Sequence, residues 1–373
     1  MFSRLFGCGL DLPGTCRMND DRLTGCSRPI RSRRSFRRQG VPGGPRQKTR
    51  PSFFILILCP FLSACSGVQS ALDPAGREAA DVATLFFTML IGGVAIWAGV
   101  VGMLFYAVRK RQVHSEKAAA RVILWCGALL PTVILASLLS YAVWLMPNVR
   151  PWFGGADGGM RRIDVTGEQF WWRVRYLEEG GQPAFETANE VRIPVGERVV
   201  FSLKSPDVIH SFWIPVLGGK MDMIPGRENR LTLLAEKPGI YRGVCAEFCG
   251  ASHALMAFTV LAMERQAFED WIAARRASSG ARDAEGLASF LRHGCSACHA
   301  ISGTQARGTI GPDLTAFGER GSVGAGTRPN LEEHIASFIR DAGKIKPEAR
   351  MPHFSMLPDA EIERIAAYLK GLR

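Results

Sequence analysis

Acidic residues are scarce in this 373-residue chain: 34 Asp and Glu stand against 46 Lys and Arg, a formal charge of +12. A surplus of that size would suit a nucleic acid or an anionic membrane as partner. Its distribution argues against the first. Residues 1–64 hold twelve basic and three acidic residues, whereas the remaining 309 carry 34 and 31. The excess therefore does not describe one basic folded surface, and nothing points to nucleic acid. The 40 glycines show no period and 47% of residues are hydrophobic, which excludes a collagen-like or a disordered chain. The length suits two or three folded units. Charge is missing altogether from two stretches, 82–108 and 122–149. Each is longer than the ~20 apolar residues that cross a bilayer.

The basic surplus reads as export and topology. A basic region is followed by the short apolar run 53–62 and then by Leu62-Ser63-Ala64-Cys65, the layout of a secretory signal. Leu-Ser-Ala-Cys resembles a bacterial lipobox, which would make Cys65 a lipidated first residue after cleavage of the leader 1–64. Between the two apolar stretches, 109–121 carries five Lys/Arg against Glu116 alone, and the outer flanks are poor in both. The positive-inside rule then places that turn in the cytoplasm and everything after Met146 outside, on the periplasmic face of a bacterial inner membrane. The expected order is a tether over 65–81, a two-helix transmembrane hairpin over 82–149, and two external domains.

The first external domain, 150–276, turns to strands. Val191-Ile193-Val195, 199–203, Leu231-Leu233 and Met256-Phe258-Val260-Ala262 alternate or run short between Gly and Pro turns, which predicts an all-β sandwich or barrel. Two segments within it concentrate metal-binding atoms, His210 on one and Cys245, Cys249, His253 and Met256 on the other. Thiolates, imidazoles and a thioether are soft to borderline donors that suit copper or zinc rather than magnesium or calcium. A structural zinc would need only four of them and leave Met256 idle. A Cys245–Cys249 disulfide is the plain structural alternative in an oxidising compartment. Two cysteines four apart can instead bridge a pair of copper ions. His210 lies 35 residues before Cys245, so the barrel must bring the segments together before metal arrives.

The second external domain, 284–373, follows a linker at 277–283. It contains Cys295-Ser296-Ala297-Cys298-His299, a haem attachment sequence in which both thiols bind haem vinyl groups and the histidine meets the iron. Met351 and Met356 both lie late enough to supply the distal ligand. Met351, followed by Pro352, is the candidate, with Met356 expected to pack beneath it. Methionine–histidine ligation raises a haem potential, which suits passing electrons onward to copper.

Two apolar helices, then His210-Ser211-Phe212-Trp213, Lys220-Met221-Asp222-Met223, and Cys245-Ala246-Glu247-Phe248-Cys249-Gly250 with His253 and Met256, resemble cytochrome c oxidase subunit II. Gly311-Pro312-Asp313-Leu314 and Met351-Pro352 resemble a class I cytochrome c fused behind it. The resemblance implies a multidomain membrane protein: a two-helix hairpin, a cupredoxin barrel holding the dinuclear CuA centre, and an all-α cytochrome c domain. By it, Cys245 and Cys249 bridge both coppers, His210 and Met256 complete one, and His253 and the Glu247 carbonyl complete the other. The Glu247 side chain would reach a magnesium at the interface with subunit I. Asp207 and Asp222 match acidic positions on the side that faces the donor and subunit I.

Two departures stand out. Phe170 occupies the position of the family's usual electron-accepting tryptophan, leaving Trp171 as the candidate substitute. Val122 replaces a glutamate linked to proton uptake, so no acid stands there. The implied activity is a haem–copper oxidase subunit that passes electrons from a donor through haem c to CuA, and then to subunit I for oxygen reduction. The implied partners are subunits I and III, membrane lipid, and a cytochrome c or a quinol–cytochrome c reductase as donor. Two rival readings remain at this point. One is an electron-transfer subunit of another terminal reductase, such as nitric oxide reductase. The other is a copper storage or assembly protein, which would have no use for a haem.

Overall fold

The computed structural model describes residues 66–110, 115–149, 160–178, 181–278 and 283–373. The leader and the lipobox residue Cys65 lie outside them.

Helix α1 runs Arg77–Lys110 and is followed by α2, which comprises Glu116–Val122, a π-helical stretch Ile123–Leu129 and Leu130–Val149. Both are long and apolar enough to cross a membrane. Ser115 caps α2 by accepting from the Ala118 N–H, which starts the helix six residues before the apolar run. The π stretch precedes Pro131. A proline ring crowds the carbonyl four residues back and cannot donate to it. Here the Leu130 N–H is received by the Trp125 carbonyl, five residues away, which moves the ladder past the obstruction.

Helix α1 likewise begins inside the stretch expected to be a tether, because its first turn is mounted on the β domain. Gly76 bridges Ala235, and the N–H groups of Ala75 and Gly76 both donate to Val216 O. A Cβ on Gly76 would stand 2.6 Å from Leu217 O, so only glycine permits this approach. One turn on, Glu78 is 2% exposed, accepts from Arg198 Nη1 at 2.6 Å and from the Leu234 N–H at 3.0 Å.

The β domain consists of two five-stranded sheets. One has the order β3 (Pro183–Ala188), β2 (Trp171–Leu177), β1 (Arg161–Glu168), β5 (Arg198–Lys204) and β8 (Asn229–Leu234). The other has the order β4 (Glu190–Pro194), β10 (Ala257–Met263), β9 (Gly239–Cys245), β6 (His210–Trp213) and β7 (Met221–Met223). β1 pairs β5 and β10 pairs β4 in parallel; the other pairs are antiparallel. This is the all-β sandwich that the alternation predicts, with β1 (burial alternating at Ile163, Val165 and Gly167) as its plainest case. Its core is aromatic: Phe212 stacks on Phe258 at 4.6 Å, and Trp172 meets both edge-on. The Phe258 ring lies across Gly243, its register partner on β9, where a Cβ would fall 2.1 Å from the ring.

Helix α3 (Arg265–Arg276) closes the sandwich, with Phe268 and Ile272 buried. The last domain packs α4 (Ala284–Arg292) and α5 (Glu332–Arg340) against α7 (Asp359–Gly371), with a short α6 (Ala342–Ile345) between. Asp283 caps α4 through the N–H groups of Glu285 and Gly286. Gly286 allows the crossing with α7, since a Cβ there would lie 2.4 Å from that of Tyr368.

Replacing Gly243 by valine should force the Phe258 ring out of its stack and destabilise the sandwich by about 1–3 kcal/mol. Urea denaturation of the detergent-solubilised chain, followed by tryptophan fluorescence, reads this as a lowered midpoint.

Candidate functional site

The soft donors of the β domain meet at one end of the second sheet. His210 opens β6, Cys245 closes β9, and Met256 immediately precedes β10. Strand pairing sets them side by side: Phe212 is in register with Cys245, and the Cys245 N–H donates to Met256 O at 3.1 Å. The loop between the cysteines folds back through Gly250, whose φ of +133° is open only to glycine. A Cβ there would also strike Phe170 at 2.9 Å. The donor atoms converge as a result. Cys245 and Cys249 are free thiols with sulfurs 3.9 Å apart, and they form no disulfide. His210 Nδ1 lies 3.9 Å from Cys245 Sγ, His253 Nδ1 3.6 Å and Met256 Sδ 3.8 Å from Cys249 Sγ. The Glu247 carbonyl oxygen lies 3.2 Å from Cys245 Sγ.

This donor set fits a soft metal centre. Two sulfurs 3.9 Å apart fall within the span of two metal–sulfur bonds of about 2.3 Å each, so both can ligate the same ion. The two thiols share one proton: the hydrogen bond with Cys249 pulls the Cys245 thiol well down, and the thiolate so formed pushes Cys249 far up. A cation there compensates the second negative charge and displaces the proton. Asp207 orients His210 from behind, its carboxylate 2.9 Å from Nε2, which directs Nδ1 at the sulfur. Burial works against the charge on both partners. Hydrogen bonds to Cys245 and Asp207 nevertheless raise His210, and the Gln169 and Val208 N–H groups with His210 hold Asp207 low.

Glu247, by contrast, presents its carboxylate at the surface, 47% exposed and 4.0 Å from Lys220 Nζ, which also pairs with Asp222 at 2.7 Å. Asp222 accepts from Ser211 Oγ as well. Val122 is exposed on α2.

In the helical domain Cys295, Cys298, His299 and Met351 line one cavity, with Leu314 and Phe317 as apolar wall. His299 Nδ1 donates to Pro312 O at 2.8 Å, which leaves Nε2 as the lone-pair nitrogen. Burial depresses its pKa and keeps the ring neutral, as an axial ligand must be. Gly311 makes room for the ring, since a Cβ there would lie 2.5 Å from His299 Cε1. Arg320, also on the wall, is buried. It donates to Asp313 O, but its Nε has no partner among the described residues. A guanidinium nitrogen left without a partner on the cavity wall fits an anionic group of a cofactor such as a haem carboxylate. Met356 does not pack beneath Met351 as the sequence suggested. It is 68% exposed, because the chain turns outward at Ser355 and Met356 before Leu357 packs back on the core and Pro358 opens α7.

The two sites share a wall. Gln169, Phe170 and Trp171, the β1–β2 turn, also line the haem-domain cavity. Phe170 is 2% exposed beneath Gly250, and Gln169 Nε2 donates to Cys249 O at 2.7 Å. Arg173 stands 4.6 Å over the Trp171 ring, pairs with Glu168 and Glu186 at 2.6 Å each, and donates to Thr309 O of the helical domain at 2.9 Å. Arg275–Glu319 and Glu190–Gly321 N–H also cross this seam. Arg173 and Arg320 were not singled out in the sequence; nothing in their local pattern separates two arginines from 46 Lys and Arg.

A cupredoxin-like β sandwich with convergent soft donors, joined to a C-x-x-C-H helical domain, defines a membrane-anchored redox protein. Comparison with known proteins agrees. Residues 161–263 match the family described as cytochrome c oxidase subunit II, periplasmic domain, and residues 284–373 match cytochrome c. The chain is 35% identical over 353 residues to cytochrome c oxidase subunit 2 of Alkalihalophilus pseudofirmus, covering 87% of this chain and 98% of that protein. It is 33% identical over 225 residues to cytochrome c oxidase subunit 2 of Bacillus subtilis, covering 57% and 62%. The crystal structure of the periplasmic domain of subunit II from Bradyrhizobium japonicum is 31% identical, covers 33% of this chain and 95% of that one, and gives a TM-score of 0.30. The chain belongs to the cytochrome c oxidase subunit II family, as a subunit of a haem–copper oxidase with its own cytochrome c domain.

Asp207→Asn should keep the fold and weaken copper binding by about 10–100-fold, the usual effect of removing a carboxylate behind a ligating histidine. Competition with a copper chelator measures it.

Proposed function

We propose that this chain receives electrons at its cytochrome c domain and passes them to a copper pair in the β sandwich, from which subunit I draws them for oxygen reduction. When bound, haem c and the copper pair each supply a one-electron couple. Cys245 and Cys249 would hold both coppers, with His210 and Met256 as further donors to one and His253 and the Glu247 carbonyl to the other. Cys295 and Cys298 would fasten the haem, and His299 and Met351 would hold its iron.

One observation carries the reading: a single turn, Gln169–Trp171, forms part of the haem-domain cavity and also hydrogen-bonds the Cys249 carbonyl. The turn thus borders both donor sets. Trp171, half-exposed on the cavity side, and Phe170, buried on the cysteine side, are the aromatic residues of the passage. Arg173 clamps the Trp171 ring and binds the haem domain at Thr309, so the passage is held from both domains. The exposed Glu247 carboxylate would meet a magnesium at the interface with subunit I. Subunit III and a cytochrome c or quinol–cytochrome c reductase are the further partners. Both external domains would lie on the periplasmic side of a bacterial cytoplasmic membrane, with Cys65 lipidated on the same side. The relatives named above are oxidase subunits, which favours oxygen over nitric oxide as the final acceptor. A storage role leaves the cytochrome domain without purpose.

His210→Asn in the assembled oxidase should leave the covalent haem in place, remove the electron paramagnetic resonance of a mixed-valence copper pair, and stop oxidation of haem c by oxygen. An undiminished rate of haem c oxidation would refute the proposed route.

A further inference from the structure

Neither donor set uses Lys346, yet its side chain is buried at the junction of the two domains, 3% exposed. Nζ donates to Leu255 O at 2.9 Å and to Gly324 O at 2.9 Å. Leu255 closes the turn His253–Leu255, and the next residue, Met256, carries the thioether 3.8 Å from Cys249 Sγ. Gly324 belongs to the helical domain and, like Lys346 itself, lines the cavity of Cys295, Cys298 and His299. One side chain thus joins the turn between two candidate copper donors to the wall of the haem cavity.

Its surroundings suit a tie better than a charge pair. Among the described residues no carboxylate pairs with it. Even a neutral lysine amine keeps two N–H donors, matched here by two carbonyls, so the tie does not require the ammonium form. Other links run beside it: Ala257 N–H to Ala325 O at 3.1 Å, and Ser252 Oγ to Pro347 O at 2.6 Å. Residues 252–257 are therefore laced to the haem domain on both sides of Met256. Burying a lysine is costly. Leaving the carbonyl of half-buried Leu255 without a donor would be costly too, and no other side chain among the described residues donates to it.

We propose that Lys346 is a positioning residue for electron transfer: through the Leu255 carbonyl it fixes the turn that bears His253 and Met256, and through Gly324 it holds the haem cavity at a set distance from that turn. This rests on the copper and haem reading above.

The test uses the full chain with Lys346→Met, which keeps the stem and loses the donors, and Lys346→Gln, which keeps a donor without the charge. In the copper-free chain, hydrogen–deuterium exchange at 253–257 and 321–326 should rise about tenfold in the methionine variant, the scale of one buried hydrogen bond lost. The glutamine variant should stay near wild type. In the assembled oxidase, the methionine variant should shift the copper hyperfine pattern and slow haem-to-copper transfer after photoreduction of the haem. Unchanged exchange, spectrum and rate in Lys346→Met would overturn the proposal, and so would equal effects in both variants. A wild-type oxidase without the mixed-valence copper signal would instead refute the metal reading, and the exchange measurement on copper-free chain would still decide the tie.

Discussion

The structure turns on the backbone pairing at the metal end of the second sheet. The Cys245 N–H on the Met256 carbonyl and the Phe212–Cys245 register draw three distant segments to one point. Beneath them the Trp172, Phe212 and Phe258 rings form a dry floor, and Trp172 Nε1 reaches Met256 O at 3.4 Å. Donors held this way lose little freedom when a metal arrives. The same rigidity limits rearrangement when an electron is added or removed. A loop that had to fold around its metal would have neither property.

The second domain is seated on that end by polar contacts rather than by a shared apolar core. The two hydrophobic clusters are separate, and the seam between them includes Arg173, Arg275, Glu190 and backbone groups. With Lys346 on Leu255 O and Ser252 on Pro347 O added, such a seam is specific in orientation, since each donor must meet its acceptor, and it leaves each domain with its own core.

Much of this was legible in the sequence, for identifiable reasons. The soft donors stood out because Cys245, Cys249, His253 and Met256 lie within twelve residues, and the haem site because five consecutive residues carry it. Strands β4 and β10 declared themselves by alternation, at Val191 and Ile193 and at Phe258, Val260 and Ala262. The misread parts depend on contacts between segments far apart in the chain. The start of α1 is set by Arg198 and Leu234, more than a hundred residues away, so hydropathy alone placed it at 82. Met351 and Met356 could be ranked by the following proline, but the outward turn at Met356 is a property of the approach to α7. Arg173 and Arg320 became visible only once the cavity existed, because their partners are the Thr309 and Asp313 carbonyls.

The mounting of α1 on the β domain bears on how the oxidase is put together. A helix of 34 residues is about 51 Å long at 1.5 Å per residue, well beyond the ~30 Å of a bilayer's hydrocarbon. Its upper end is rooted in the sandwich through Gly76 and the buried Glu78, so the β domain stands on a stiff post instead of swinging on a leash. Tilt and azimuth are then inherited from the membrane helix. A neighbouring subunit that grips the helix within the lipid also aims the domain above it, and the orientational entropy of that encounter is largely removed in advance.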